Sequence, residues 1–289
     1  MEFAFARTLA RSERFDFNRL RQRAAALGAD RPALDGTVDW DRVARQRAAI
    51  YVVAGTAPPV EPAAPDAERI RALAYARYLS GELAGAVQTF EEQATLPEGA
   101  VEMALFAEGL ADMGDVRAAP YIRRLSEVQP TEADAAAARL ALRLGQYELA
   151  QSALVSALVR YRTDPWPSQV SMSHALALAD ELTLARRDMV PVIFEALGQR
   201  FAVSAIEEAR RLVRLSVESH GQTLARCHEA LGPFEPHVPW RADVLQYRAD
   251  CYARTRDPRA QEARSDLERY KAQDVKAGSP PQPVPRPPQ

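Results

Sequence analysis

Residues 78–90 read YLSGELAGAVQTF, and two later stretches repeat the same punctuation: ADMGDVRAAPYI at 111–122 and LRLGQYELAQSAL at 142–154. In each, a helical run stops at a glycine (Gly81, Gly114, Gly145), and an alanine follows five residues later (Ala86, Ala119, Ala150). The glycines stand 33 and 31 residues apart. Glycine takes the left-handed conformation that ends a helix, which lets the chain reverse within about three residues. A small residue one turn into the second helix then allows the two helices to pack closely. Leu73, Phe90, Leu125, Leu140 and Leu154 are expected to supply the larger side chains of the seams. One hairpin alone buries a single face, so neighbours must stack to complete a core. The expectation is an all-α chain built as a stack of antiparallel helical hairpins.

Outward from the repeats, composition divides the chain into four parts. Residues 1–54 open with MEFAFART, where Phe3 and Phe5 alternate with Ala4 and Ala6 in the period of a strand, and continue with two short helical patterns after Asp16 and Asp39. Residues 55–65 form a Pro-rich linker that leads to a helix N-cap at Asp66. The helical-repeat domain is expected over 66–273, and 274–289 reads as a disordered Pro-rich tail with overlapping PxxP spacings. Beyond residue 160 the pattern loosens. DPWPSQ at 164–169 breaks it, and helices are expected near 168–184, 188–199, 202–217, 220–231, 240–255 and 258–272. The last two make a hairpin with Trp240, Leu245, Cys251 and Tyr252 on its first helix and Asp257-Pro258 opening its second. Arg264, Asp266, Glu268 and Arg269 would face solvent there and cap the stack.

Bulk properties exclude several classes of function. The formal net charge of the 289 residues is −2, so no global basic field recruits nucleic acid or anionic lipid. The most apolar run, AIYVVAG at 49–55, falls far short of the roughly 20 residues a membrane span needs, so no direct membrane insertion is expected. No GxG or GxxxxGK[ST] phosphate cradle, GxSxG elbow or HExxH pair occurs. His220 and His228 stand eight residues apart and could share a helix face, but Gly221 intervenes and no third ligand is evident. Cys227 and Cys251 are the only cysteines and read as two ordinary thiols in a reducing compartment, with a disulfide or metal site as the alternative. The expectation is a cytoplasmic, non-enzymatic chain with no cofactor, no catalytic residue and no metal.

The glycine turns, the alanine in the second helix, a large residue four positions later (Phe90, Leu154), and Pro97 and Pro130 near the repeat ends resemble the tetratricopeptide repeat, whose period is about 34 residues. The second repeat departs from it, with Pro120 directly after its alanine and Arg123 where a large apolar residue is usual. The resemblance implies an α-solenoid whose first helices line a concave groove. The residues placed there are Glu68, Arg71, Tyr75 and Tyr78 from the first hairpin, Glu108 and Asp112 from the second, and Glu132, Arg139 and Arg143 from the third. Tyrosine and arginine are favoured at interface hot spots. Arg71, Tyr75, Tyr78, Glu108, Arg139 and Arg143 are therefore the candidate groove for a protein or peptide partner. Repeat proteins of this kind that clamp a peptide C-terminal carboxylate do so with asparagines; the sole asparagine here is Asn18, outside the repeats, so that partner class is not expected.

A second resemblance spans nearly all of 1–273. EFAFART, GADRPALDGTVDWDRVARQR, the Pro-rich linker, the hairpins, RYRTDPWPSQ, PHVPWRADVL and TRDPRAQEARSDL follow the order seen in the C-terminal extension of bacterial fusions of a transporter-like domain with a spermidine-synthase-like domain. It implies a chain that is the accessory region of an aminopropyltransferase-like protein whose catalytic domain lies elsewhere, with a synthase-like domain as partner and membrane association through that partner. It carries over no catalytic residue.

Overall fold

In the computed structural model the described residues are 66–277, apart from 94, 95, 98, 165, 166, 222 and 224. The strand-like opening, the short helices expected within 1–54, the linker 55–65 and the chain beyond 277 lie outside them. Among the described residues there are twelve α-helices and no strand: α1 Asp66–Leu79, α2 Leu83–Glu91, α3 Gly99–Asp112, α4 Ala118–Ser126, α5 Pro130–Arg143, α6 Tyr147–Arg160, α7 Gln169–Ala185, α8 Val190–Ala196, α9 Glu207–Ser219, α10 Cys227–Leu231, α11 Ala242–Thr255 and α12 Ala260–Ala277. No helix among them is long and apolar enough to cross a membrane. The helical region expected as one domain divides into two compact units, one running to Leu182 and including 199–207, the other holding 183–198 and the residues from Glu208 onward.

The first unit contains three hairpins, α1/α2, α3/α4 and α5/α6, and each packs on the next through α2 against α3 and α4 against α5. The first helices also touch one another, α1 on α3 and α3 on α5. Gly81, Gly114 and Gly145 all have positive φ, as the turn chemistry requires. Each turn satisfies the freed carbonyls with the same pair of bonds: Glu82 N to Arg77 O at 2.9 Å with Gly81 N to Tyr78 O, Asp115 N to Leu110 O at 2.9 Å with Gly114 N to Ala111 O, and Gln146 N to Ala141 O at 2.8 Å with Gly145 N to Leu142 O.

The second repeat differs from its neighbours by one residue of register. Ala86 and Ala150 are buried as expected, but Ala119 is exposed and Ala118 takes its place in the core. The cause is local. The Asp115 carboxylate accepts the Arg117 N–H at 2.8 Å, an extra turn forms over 115–117, and α4 begins later than α2 and α6 do after their glycines. The two departures noted in the sequence are thereby accommodated. Pro120 falls in the first turn of α4, where no helical N–H is lost. Ile122 packs inward while Arg123 points out. Leu73 is also displaced from the expected seam: it is exposed, and Ala74, Tyr75 and Tyr78 form the inward face of α1.

In the second unit the helix expected over 220–231 shrinks to α10. Glu218 accepts the Arg226 N–H at 3.0 Å immediately before α10 begins. Cys227 and Cys251 are joined as a disulfide with Cα atoms 5.9 Å apart, which corrects the reading of two ordinary thiols. The α11/α12 hairpin repeats the turn bonds of the first unit, with Asp257 N to Tyr252 O at 2.9 Å and Arg256 N to Ala253 O. Here, however, Arg256 itself holds the left-handed position, at φ 56°. A non-glycine residue there is disfavoured by about 1–2 kcal/mol, partly offset by the extra chain entropy of glycine. Arg256→Gly is expected to raise stability by up to about 1 kcal/mol, read as a higher urea midpoint with an unchanged slope. Asp266 is another correction, since it is not on a solvent-facing cap but bonds the buried Arg248.

Candidate functional site

The residues expected to line a concave groove do gather on the first helices, but they are largely covered. Tyr75, Tyr78, Glu108 and Arg139 are buried. Arg71 is half-buried beside Glu102, at 3.9 Å, and over the Phe90 ring. Arg143 is the most accessible of the six, with 29% of its side chain exposed. The cover is the chain's own α7, whose side chains reach each of the three first helices. Ser171 and His174 on α7 both bond the Glu108 carboxylate of α3, His174 through Nδ1 at 2.6 Å. From α1, the Tyr78 hydroxyl donates to Glu108 Oε1 at 2.8 Å and lies 3.0 Å from Ser171 Oγ. The rings of Tyr78 and His174 meet edge to face. From α5, Arg139 donates to the His174 carbonyl at 3.0 Å and to Asp112 at 2.8 Å, while Arg143 bonds Asp112 and reaches Glu181 on α7.

Burial by itself would raise the Glu108 carboxyl, but His174, with help from Ser171 and Arg139, outweighs it and holds the group below the ordinary value of 4.5. Its contribution to stability is therefore present above that value and lost as pH falls through the lower, folded one. Ser171 donates to a carboxylate and not to His174, so the trio lacks the nucleophile-to-imidazole bond that activates a serine. Its chemistry is that of a closed hydrogen-bond network in which every member ties α7 to the hairpins.

Glu132 on α5 anchors the start of α7 in a second way, accepting the Ser168 N–H at 3.1 Å. Here burial wins: it raises the carboxyl to about 7, against the pull of the Ser168 N–H and with Asp164 and Glu108 adding to the rise. A carboxyl whose folded value lies above its ordinary 4.5 stabilises the fold most at low pH, and that contribution is lost as pH rises through about 7. Glu132→Gln keeps an acceptor for Ser168 and removes the charge. It is expected to exceed the parent in stability by up to about 3 kcal/mol at alkaline pH and to show no advantage in acid. Urea unfolding of both proteins on either side of neutrality measures the difference.

The opposite face of the same unit carries two grooves that the sequence reading did not anticipate. They repeat with the hairpins. One lies between α4 and α6 with α5 as its floor, has a volume of about 600 Å³, and is lined by Ile122, Ala137, Leu140, Leu144, Leu149 and Ala153 among others. The other lies between α2 and α4 over α3, has a volume of about 340 Å³, and is lined by Leu96, Pro97, Phe106, Leu110 and Tyr121 with Arg117 and Arg124 at its rim. Leu149 and Leu96 are 62% and 74% exposed, far from the usual state of a large aliphatic side chain. The signal was present in the sequence: Leu96, Leu144 and Leu149 fall off the core stripe of their segments, but single apolar residues off-stripe are common and carry little weight alone.

No protein family, curated protein or solved structure matches this chain.

Proposed function

We propose that this chain is a non-catalytic, tetratricopeptide-like α-solenoid whose hairpins mediate protein–protein interaction, and that the partner surface is the outer grooved face. The observation that carries this reading is the contrast between the two faces. On the inner face Tyr78, Glu108, Arg139 and Arg143 are bonded to α7; on the outer face the grooves repeat in register with the hairpins and expose aliphatic side chains. An apolar groove between parallel second helices suits the apolar side of a partner helix. The competing reading, an accessory region of an aminopropyltransferase-like protein, draws on the order of sequence segments, and no side-chain arrangement among the described residues favours it.

Ala153→Arg places a long cation in the larger groove without touching the buried core, because Ala153 sits on its wall. Quantitative affinity purification from the cells of origin is expected to show at least one protein whose recovery falls severalfold with Ala153→Arg and is unchanged with Arg143→Ala on the inner face. Recovery insensitive to Ala153→Arg but lost with Arg143→Ala would return the partner to the inner face and refute the assignment.

A further inference from the structure

The second unit holds a group of side chains that the scaffold reading leaves unused. Cys227 at the start of α10 and Cys251 in α11 are fully buried, and a ring nitrogen of the adjacent His228 lies within 4.8 Å of both sulfurs. The His228 side chain is 46% exposed, so one wall of the cluster opens to solvent while the sulfurs do not. His228 is also oriented. Its Nε2 lies 2.8 Å from Thr255 Oγ1, and its ring stacks on Tyr252. The Thr255 hydroxyl donates to the Cys251 carbonyl at 2.8 Å, so towards His228 it serves as acceptor for the Nε2–H. His228 Nδ1 is 3.6 Å from the Asp257 carboxylate. Arg259 hydrogen-bonds the same carboxylate and holds it in place. Two sulfurs and an imidazole held by a hydrogen bond form the donor set of a thiophilic divalent cation site.

We propose that Cys227, Cys251 and His228 form a redox-gated site for a zinc-class cation, closed as the disulfide and opened by reduction. A dithiol reductant supplies the two electrons. Local opening at the short α10 exposes a protein sulfur, one thiolate of the reductant attacks it, the S–S bond breaks through a mixed disulfide, and the second thiol closes the reductant into its own disulfide. The protein is left with two thiols. Binding of the dication then displaces both thiol protons to solvent and makes two metal–thiolate bonds, with His228 as third ligand and water as the fourth. Oxidation of the two thiolates by a disulfide or peroxide reverses the sequence and expels the cation. The choice between the two forms follows the reducing power of the surroundings, so one fold serves either condition.

The test uses the full-length chain, reduced with dithiothreitol, freed of it under anaerobic conditions, and titrated with cobalt(II) as the spectroscopic probe. The expected result is one cobalt per chain with a thiolate-to-metal charge-transfer band and tetrahedral d–d absorption, both abolished by zinc. The oxidised chain shows neither band. Cys251→Ser loses the charge transfer, and His228→Ala, which leaves the disulfide intact for folding, binds cobalt at least tenfold more weakly after reduction. Far-UV circular dichroism of the reduced chain stays that of the oxidised one. A reduced wild-type chain without charge transfer, a spectrum and affinity unchanged in His228→Ala, or loss of helicity on reduction would each overturn the proposal.

Discussion

Gly109→Ala is expected to destabilise the first unit by about 2–3 kcal/mol, even though alanine favours a helix interior over glycine by about 1 kcal/mol. Gly109 lies in the last turn of α3, where that helix packs against α2. A methyl group there would sit 2.3 Å from Val87 Cγ2 and 2.7 Å from the Leu83 carbonyl oxygen. The valine could turn, but the carbonyl belongs to the backbone at the start of α2, so relief requires α2 to move outward. Such a shift opens the surrounding core of Leu83, Val87, Phe90, Phe106 and Leu110. The control is Gly85→Ala on α2, whose added methyl would have no neighbour closer than the Arg77 side chain at 3.6 Å. There the helix propensity acts alone, and a gain of up to about 1 kcal/mol is expected. The same substitution therefore carries opposite signs at two glycines, and urea denaturation of both variants measures it. Equal effects would show that α2 and α3 do not approach as closely as described.

Arg248→Met is expected to cost about 3 kcal/mol in the second unit, of the order found when one partner is removed from a buried ion pair. Arg248 is the largest fully buried side chain of the described residues. Its guanidinium bonds Glu235 at 2.9 Å and Asp266 at 2.7 Å, with Glu262 at 3.4 Å. Methionine fills a similar volume but leaves Glu235 and Asp266, each mostly covered, with only the more exposed Arg259 and Arg269 as cations. Glu262 is largely exposed, and Glu262→Gln is expected to change stability by less than about 1 kcal/mol. A loss no larger than that of Glu262→Gln would contradict the part given to Arg248.

The hairpin architecture was readable because glycine turns act locally. Gly81, Gly114 and Gly145 each set a left-handed residue and a pair of turn bonds that involve only nearby backbone. Arg256 performs the same role with no glycine to announce it, so the fourth turn could be inferred only from the Asp-Pro that follows. The one-residue register shift at Ala118 was hidden for a similar reason: it depends on whether Asp115 turns back onto the Arg117 N–H. The candidate groove was legible as a set of residues on one face and not as a free surface. Tyr78, Glu108, Arg139 and Arg143 do come together, but what covers them is a helix about 30 residues further along the chain than Arg143 at the nearest. Periodicity reports which side of a helix is apolar and cannot report which distant polar helix will lie against it. The disulfide stood only as the alternative because two cysteines 24 residues apart give no spacing signal.

Site-specific photocross-linking most directly tests the claim that α7 fills the inner face and that partners use the outer one. A benzophenone amino acid replaces Leu149 in the larger outer groove in one protein and Arg143 beside α7 in another, and both are irradiated in the cells of origin. The account predicts a discrete adduct with a partner protein from position 149, abolished by Ala153→Arg, and no intermolecular adduct from position 143. An adduct from position 143 with none from 149, in chains that remain folded, would contradict it.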